Sequence, residues 1–122
     1  MRVPGFMVKQ FYVAGSLRNT PTGFSVQARN GMADGLLVGI GAISVDGVAI
    51  APQDVSAQRQ GEATVYHATD VSRTSPVAFR KGDVVTFDIA GLTLNAGLHQ
   101  LEVELVERDL GSLSLGFSET VS

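Results

Sequence analysis

The sequence has 122 residues, of which 44% are hydrophobic and 17% charged, and its net charge is −3. This length and composition predict one folded domain over residues 1–122 rather than a disordered chain. There is no basic stripe, no apolar run of the ~20 residues that cross a membrane, no secretory leader and no cysteine. We therefore expect a cytoplasmic domain with no nucleic-acid or membrane partner.

Glycines divide the chain into short segments, as is typical of all-β domains. Residues 8–13 are apolar and aromatic and predict a first strand. Phe24, Val26 and Ala28 alternate with polar residues and predict a second strand. Residues 38–45 predict a third, in which glycines indicate a bulge.

The dipeptide Asp46-Gly47 separates two apolar runs and predicts a hairpin. Its type I′ turn needs a positive φ angle at both residues. Residues 64–68, 84–90 and 113–117 predict further strands, and one helical turn is expected near residues 52–57.

Residues 98–108 fit two patterns. Leu98, Leu101 and Leu105 have helical spacing, whereas Leu101, Val103 and Leu105 alternate with polar residues as in a strand. The β-branched Val103 favours a strand. We therefore predict an all-β fold, a single-domain antiparallel β-sandwich that is immunoglobulin-like or jelly-roll-like.

The sequence offers little catalytic chemistry. His67 and His99 have no second ligand at a metal-binding spacing, and Glu102 and Glu104 fit a solvated strand face. We predict that the chain holds no catalytic residue and no metal. His99 follows a turn, so we expect it to make a structural hydrogen bond there or to support a residue that contacts a ligand. A ligand or acid/base role for His99 is the alternative.

The longest irregular, glycine-rich stretch covers residues 29–41. It contains apolar side chains that a loop in solvent does not need, and Met suits adaptable contacts. The residues of this loop that we predict to face a partner or substrate are Arg29, Met32, Leu36 and Leu37. Residues 3–8 are the next candidate for an interface.

A series of short motifs lies between residues 23 and 108, and the resemblance that they carry covers about residues 8–117. The motifs are Gly23-Phe24 with Arg29, Val45-Asp46-Gly47, Phe79-x-x-Gly82-Asp83, Gly91-Leu92, Gly97-Leu98-His99-x-Leu101-x-Val103 and Arg108. In order and spacing they resemble the small (β) subunit of bacterial C-glycoside deglycosidases.

The resemblance implies a non-catalytic β-sandwich bound to a large α subunit of barrel fold, in a higher hetero-oligomer. It implies a lyase-type complex that cleaves the sugar–aglycone C–C bond of 3-keto C-glycosides of the flavonoid or polyphenol type by elimination. The catalytic base and an Mn²⁺ or Mg²⁺ ion would lie on the α subunit, and this chain would hold no cofactor.

Two other classes of function remain open. One is a free-standing β-sandwich binding or interaction domain without an enzymatic role. The other is a small enzyme that uses His99 together with a nearby carboxylate. A stable complex with a barrel-fold protein would favour the deglycosidase subunit over both.

Overall fold

The structure, a computed structural model, describes residues 1–121. In this part of the chain it has one short α-helix, α1 (Gly5–Val8), and single 3-10 turns at Pro52–Asp54 and Ala68–Asp70. The strands are β1 (Arg18–Thr20), β2 (Gly23–Arg29), β3 (Gly35–Val45), β4 (Val48–Ala49), β5 (Val55–Arg59), β6 (Tyr66–His67), β7 (Val77–Phe79), β8 (Val84–Ala90), β9 (Gly97–Glu107) and β10 (Gly111–Val121). Among residues 1–121, no helix combines the length and the apolar character needed to cross a bilayer.

The strands form two antiparallel sheets. One sheet has the order β1-β2-β8-β5-β6, and the other has the order β10-β9-β3-β4, with β7 also paired to β3. Apolar side chains of both sheets are buried between them, among them Phe24 of β2, Phe87 of β8 and Leu101 of β9. The predicted all-β antiparallel sandwich is confirmed.

The ambiguous stretch at residues 98–108 is strand β9. Leu101, Val103 and Leu105 point into the core, while Glu102 and Glu104 are half-exposed on the outer face. The alternation of apolar and polar residues therefore outweighs the helical spacing of the leucines, because one face of this strand packs on the other sheet.

The predicted hairpin and bulge are also confirmed. Asp46 and Gly47 have φ angles of 51° and 80°, as a type I′ turn requires, and they join β3 to β4. The pairing of β3 with β9 shifts register between Leu37 and Gly39 and again between Ile40 and Ile43.

The predicted strand at residues 8–13 is wrong. The chain instead forms α1 and then turns, so that residues 1–13 make a strap between the two sheets, which we call the N-terminal strap. Its first residues pair with β10, where the Val3 N–H donates to the Ser114 carbonyl. Its last residues pair with β2, where the Arg29 N–H donates to the Phe11 carbonyl. A segment that changes sheets must bend, so it is not one continuous strand.

The predicted loop at residues 29–41 is wrong beyond residue 34, where β3 begins. Its glycines accommodate neighbouring side chains within the sheet. A Cβ at Gly39 would lie 3.2 Å from the Val106 side chain, and one at Gly41 would lie 2.2 Å from Glu104 Oε1. Glycine content here reflects close packing rather than an irregular backbone.

Gly23 begins β2 at a point where the backbone of β8 comes unusually close. A Cβ at this position would lie 1.9 Å from the carbonyl oxygen of Ile89. Real Cβ atoms do not approach a backbone oxygen this closely, so any side chain would force the two strands apart.

Candidate binding site

An apolar cavity of about 540 Å³ opens at one end of the sandwich. Its walls come from the N-terminal strap, from residues 30–34 between β2 and β3 with the first residues of β3, and from the end of the β9–β10 hairpin. Val3, Met7 and Phe11 line it from the strap, and Leu113 and Leu115 line it from β10. Binding cavities are typically roughly 300–1,000 Å³ and mostly apolar, so this one has the size and lining of a ligand site.

The three methionines of the chain, Met1, Met7 and Met32, all line this cavity. A methionine side chain is unbranched and flexible, and it adapts to apolar groups of different shapes. The cavity therefore has walls that can adjust to an occupant.

Asn30 shapes one wall. Its side chain is 4% exposed, and its Nδ2 donates to the carbonyls of Ala33 and Phe79, both at 2.6 Å. Its Oδ1 accepts the Met32 N–H at 3.0 Å. These bonds fix residues 30–34 to β7 and use both amide hydrogens of Asn30.

Glu107 shapes the part of the lining at the end of the β9–β10 hairpin. Its Oε1 accepts the N–H groups of Asp109 and Leu110, and its Oε2 accepts the Leu36 N–H at 3.0 Å. Partial burial raises the pKa of the Glu107 carboxyl, but these N–H groups outweigh it, so the net pKa lies below the usual value. The carboxylate is thus held charged as the centre of the β9–β10 turn.

The mouth of the cavity carries exposed apolar side chains. Leu110 of the β9–β10 turn is 63% exposed, and the lining residues Met1 and Met32 are also exposed. Phe6, which precedes the lining residue Met7 in α1, is 85% exposed. Among residues 1–121, these are four of the seven large apolar side chains that face solvent. Such a concentration on the segments around one opening is typical of an interaction surface.

The structure separates the four residues of the predicted partner-facing loop. Met32 and Leu37 both line the cavity, whereas Arg29 and Leu36 do not. Leu37 is only 2% exposed and belongs to the core, so the expectation that it is a loop residue is wrong. Arg29 is exposed at the end of β2.

Asn30, Glu107 and Leu110 line the cavity but were not predicted from the sequence as part of a site. Asn30 and Glu107 act through hydrogen bonds to distant parts of the chain, for which one sequence carries no signal. Leu110 did carry a local signal, because an apolar residue that follows the polar Arg108 and Asp109 in a turn indicates a contact surface.

His99 lies far from the cavity, eight residues from Glu107 along β9, or about 27 Å. Its Nδ1 is 2.6 Å from Asp46 Oδ2, and its Nε2 is 2.6 Å from the Asn95 carbonyl oxygen. Both partners are acceptors, so the doubly protonated imidazolium satisfies both contacts. The bond to Asn95 and then the Asp46 carboxylate raise the pKa of His99.

We expect the contribution of His99 to stability to depend on pH. Because its folded pKa is raised, the contribution is complete below the ordinary histidine pKa of about 6.5 and is lost as pH rises through the folded pKa. The pKa of Asp46 is lowered, by the Gln100 N–H and then by His99, so its contribution is lost only in strong acid. The loss of Tm in His99→Gln should therefore be larger at about pH 5.5 than at about pH 9.

Thermal unfolding of both proteins at the two pH values measures this difference. The same comparison in an Asp46→Asn background is the control, and there the pH dependence should shrink. A loss of Tm in His99→Gln that is the same at both pH values would contradict the expectation.

Several carboxylates elsewhere in the described chain are paired with cations or hydrogen-bonded to the backbone. Glu102 forms a two-pronged ion pair with Arg2, and Asp83 pairs with Arg59 at 2.7 Å. Within residues 1–121, no three His, Cys, Asp or Glu side chains converge in a way that could hold a metal ion.

The arrangement at the cavity favours binding over chemistry. Of the four polar side chains that line it, Asn30 and Glu107 are committed to hydrogen bonds with the protein's own backbone, and Asp34 and Asp109 are exposed at the rim. The remainder of the lining is largely aliphatic and thioether groups, which bind through apolar contact.

A family model described as the N-terminal domain of hydroxymethylglutaryl-CoA reductase matches residues 7–122. The comparison with curated proteins gives no match. The family match overturns the resemblance to a C-glycoside deglycosidase subunit, and with it the predicted lyase function in cleaving 3-keto C-glycosides. The barrel-fold α subunit and its Mn²⁺ or Mg²⁺ ion were expected from that resemblance alone and stay untested predictions.

Proposed function

The chain belongs to the family of the hydroxymethylglutaryl-CoA reductase N-terminal domain, and from this premise we propose that it is a binding domain without an enzymatic role. The observation that carries the proposal is the apolar cavity of about 540 Å³, with its three methionines and its exposed apolar rim. In such a domain the sandwich supplies a rigid frame, and the segments around the cavity supply the contacts.

The polar side chains at the cavity support a role in binding and not in catalysis. Catalysis of a reduction needs positioned groups that can donate or stabilise charge at a reacting atom. At this cavity both amide hydrogens of Asn30 and both carboxylate oxygens of Glu107 are already bonded to the protein's own backbone. We assign the reduction of hydroxymethylglutaryl-CoA to other parts of a reductase, and to this domain the binding of an apolar group. We also propose a cytoplasmic location, which the cysteine-free composition supports.

A cavity-filling substitution tests the proposal. Ala33 lines the cavity and is exposed at its rim, so Ala33→Trp should fill the opening without disturbing the core. We expect the neutral apolar dye N-phenyl-1-naphthylamine to bind the native chain at one site. In Ala33→Trp its affinity should fall by about tenfold or more, because the indole occupies the same space.

Ala63→Trp is the matched control, since Ala63 is exposed between β5 and β6 and does not line the cavity. It should bind the dye as the native chain does. Dye binding that is equal in the two tryptophan variants would place the apolar site elsewhere and contradict the proposal. Turnover of hydroxymethylglutaryl-CoA by the purified chain alone would contradict the non-enzymatic role.

A further inference from the structure

The ionisable side chains that line the cavity all carry negative charge. The ionisable side chains among its lining residues are Asp34, Glu107 and Asp109, and no Lys, Arg or His side chain of the described chain is among them. The α-ammonium group of Met1 also lies on these walls, but it donates to the Ser112 carbonyl at 2.5 Å. An apolar interior is thus combined with acidic side chains.

The rim carboxylates retain capacity for an external cation. Asp34 uses Oδ1 to accept the Lys81 N–H at 3.0 Å, and its Oδ2 has no hydrogen bond among the described residues. Asp109 is exposed, and its Oδ2 forms an ion pair with Arg108 Nη2 at 3.2 Å. Asp34 is therefore the stronger of the two sites for a new ion pair.

The apolar surface is larger than the cavity. The lining residues Met1, Met32 and Leu110 expose much of their side chains to solvent, so an occupant confined to the interior would leave them in water. A protein segment, which continues outside the cavity on both sides of an inserted side chain, would cover them. Contacts of this kind are typical of an amphipathic segment that lays its apolar face into a groove.

We propose that the cavity binds an amphipathic, basic segment of a partner protein, whose apolar side chains enter the cavity and whose Lys or Arg side chains meet Asp34 and Asp109. This inference rests on the proposed binding function and adds the chemistry of the partner. The methionines fit it, because flexible thioethers accept apolar side chains of several shapes. The acidic rim selects basic segments over acidic ones with the same apolar pattern.

Two model peptides with identical leucine positions test the inference. One is an amphipathic Leu–Lys peptide, and the other replaces every lysine by glutamate. We expect the Leu–Lys peptide to bind at least about fivefold more tightly in calorimetry at low salt and to displace N-phenyl-1-naphthylamine. The preference should shrink as salt is added, because the rim charges are exposed to solvent.

Two double variants with the same net charge distinguish the effect of the rim carboxylates on peptide affinity from the effect of the chain's overall negative charge. Asp34→Asn with Asp109→Asn should weaken the Leu–Lys peptide by about fivefold. Asp54→Asn with Asp88→Asn, at exposed positions outside the cavity lining, should weaken it less than about twofold. Asparagine at position 34 keeps the oxygen that accepts the Lys81 N–H.

The outcomes distinguish the two proposals. Equal binding of both peptides, or equal weakening by both double variants, overturns the basic-segment inference and leaves the apolar site intact. Binding of the Leu–Lys peptide without dye displacement also overturns it, because the peptide then lies elsewhere. Failure of the native chain to bind the dye at all overturns the binding function itself.

Discussion

Replacing Leu37 by Asn is expected to lower the free energy of unfolding by about 4 kcal/mol or more. Leu37 is 2% exposed in β3 and packs in the core. Removing a buried leucine side chain costs about 2–5 kcal/mol, and an amide without a partner adds roughly 1–3 kcal/mol. Domains of this size have about 5–15 kcal/mol in total, so a large share of the stability would be lost. Urea unfolding followed by circular dichroism measures it.

Leu36→Asn is the matched control in the adjacent position. Leu36 is half-exposed, and its hydrogen bonds with Glu107 and Arg108 use only its backbone, so they survive the substitution. We expect a change within about 1 kcal/mol. Interpreting residues 36 and 37 as equivalent partner contacts on a loop predicts that both variants fold normally. Similar stabilities of the two variants would therefore argue against the observed strand.

Gly23→Ala is expected to lower the free energy of unfolding by about 3 kcal/mol. The new methyl group would lie 1.9 Å from the Ile89 carbonyl oxygen, and the obstacle is backbone, which cannot rotate away as a side chain can. The β2–β8 pairing in the middle of the first sheet must open to make room. The same urea measurement detects the loss, and the dye assay reports whether the distant cavity survives.

Gly5→Ala provides the comparison for Gly23→Ala. Gly5 begins α1, and a Cβ there would meet no atom within 4 Å. Alanine also favours helix over glycine, so this variant should be unchanged or more stable, by up to about 1 kcal/mol. A loss of stability as large as that of Gly23→Ala would mean that chain entropy, not the close approach, governs both glycines.

The central strands could be predicted because each has one buried face. β8 and β9 follow the alternation of apolar and polar residues closely, and the Asp46-Gly47 turn is specified by its own backbone angles. The edge strands could not be predicted well. β1 and β7 have three residues each, too few to establish a period. The strand expected at residues 64–68 is only Tyr66–His67.

The cavity could be predicted only in part, because its walls depend on contacts between distant residues. Asn30 bonds to Phe79, 49 residues away, and Glu107 bonds to Leu36, 71 residues away. The apolar Met32 and residues 3–8 did carry a local signal, and both belong to the segments that form the cavity. The pairing of these segments follows from the sheet topology, which one sequence does not reveal.

The resemblance to deglycosidase subunits failed for a physical reason. Its motifs depend largely on glycines that the backbone needs for positive φ angles or for the close approach of two strands. Gly82 and Gly91 have positive φ angles in turns, Gly97 has one at the start of β9, and Gly23 sits at a close approach. Any sandwich with turns at similar spacing needs such residues, so their order reports on architecture and not on chemistry.

The placement of the methionines has a consequence for the response of the protein to oxidants. Thioethers are converted to sulfoxides, which are polar, and exposed ones react most readily. Because Met1, Met7 and Met32 are the chain's complete set and all surround one cavity, such damage would be confined to a single place. The interior between the sheets has no sulfur to oxidise. Oxidation of the three methionines would therefore change which ligands the cavity binds, while the core between the two sheets stayed intact.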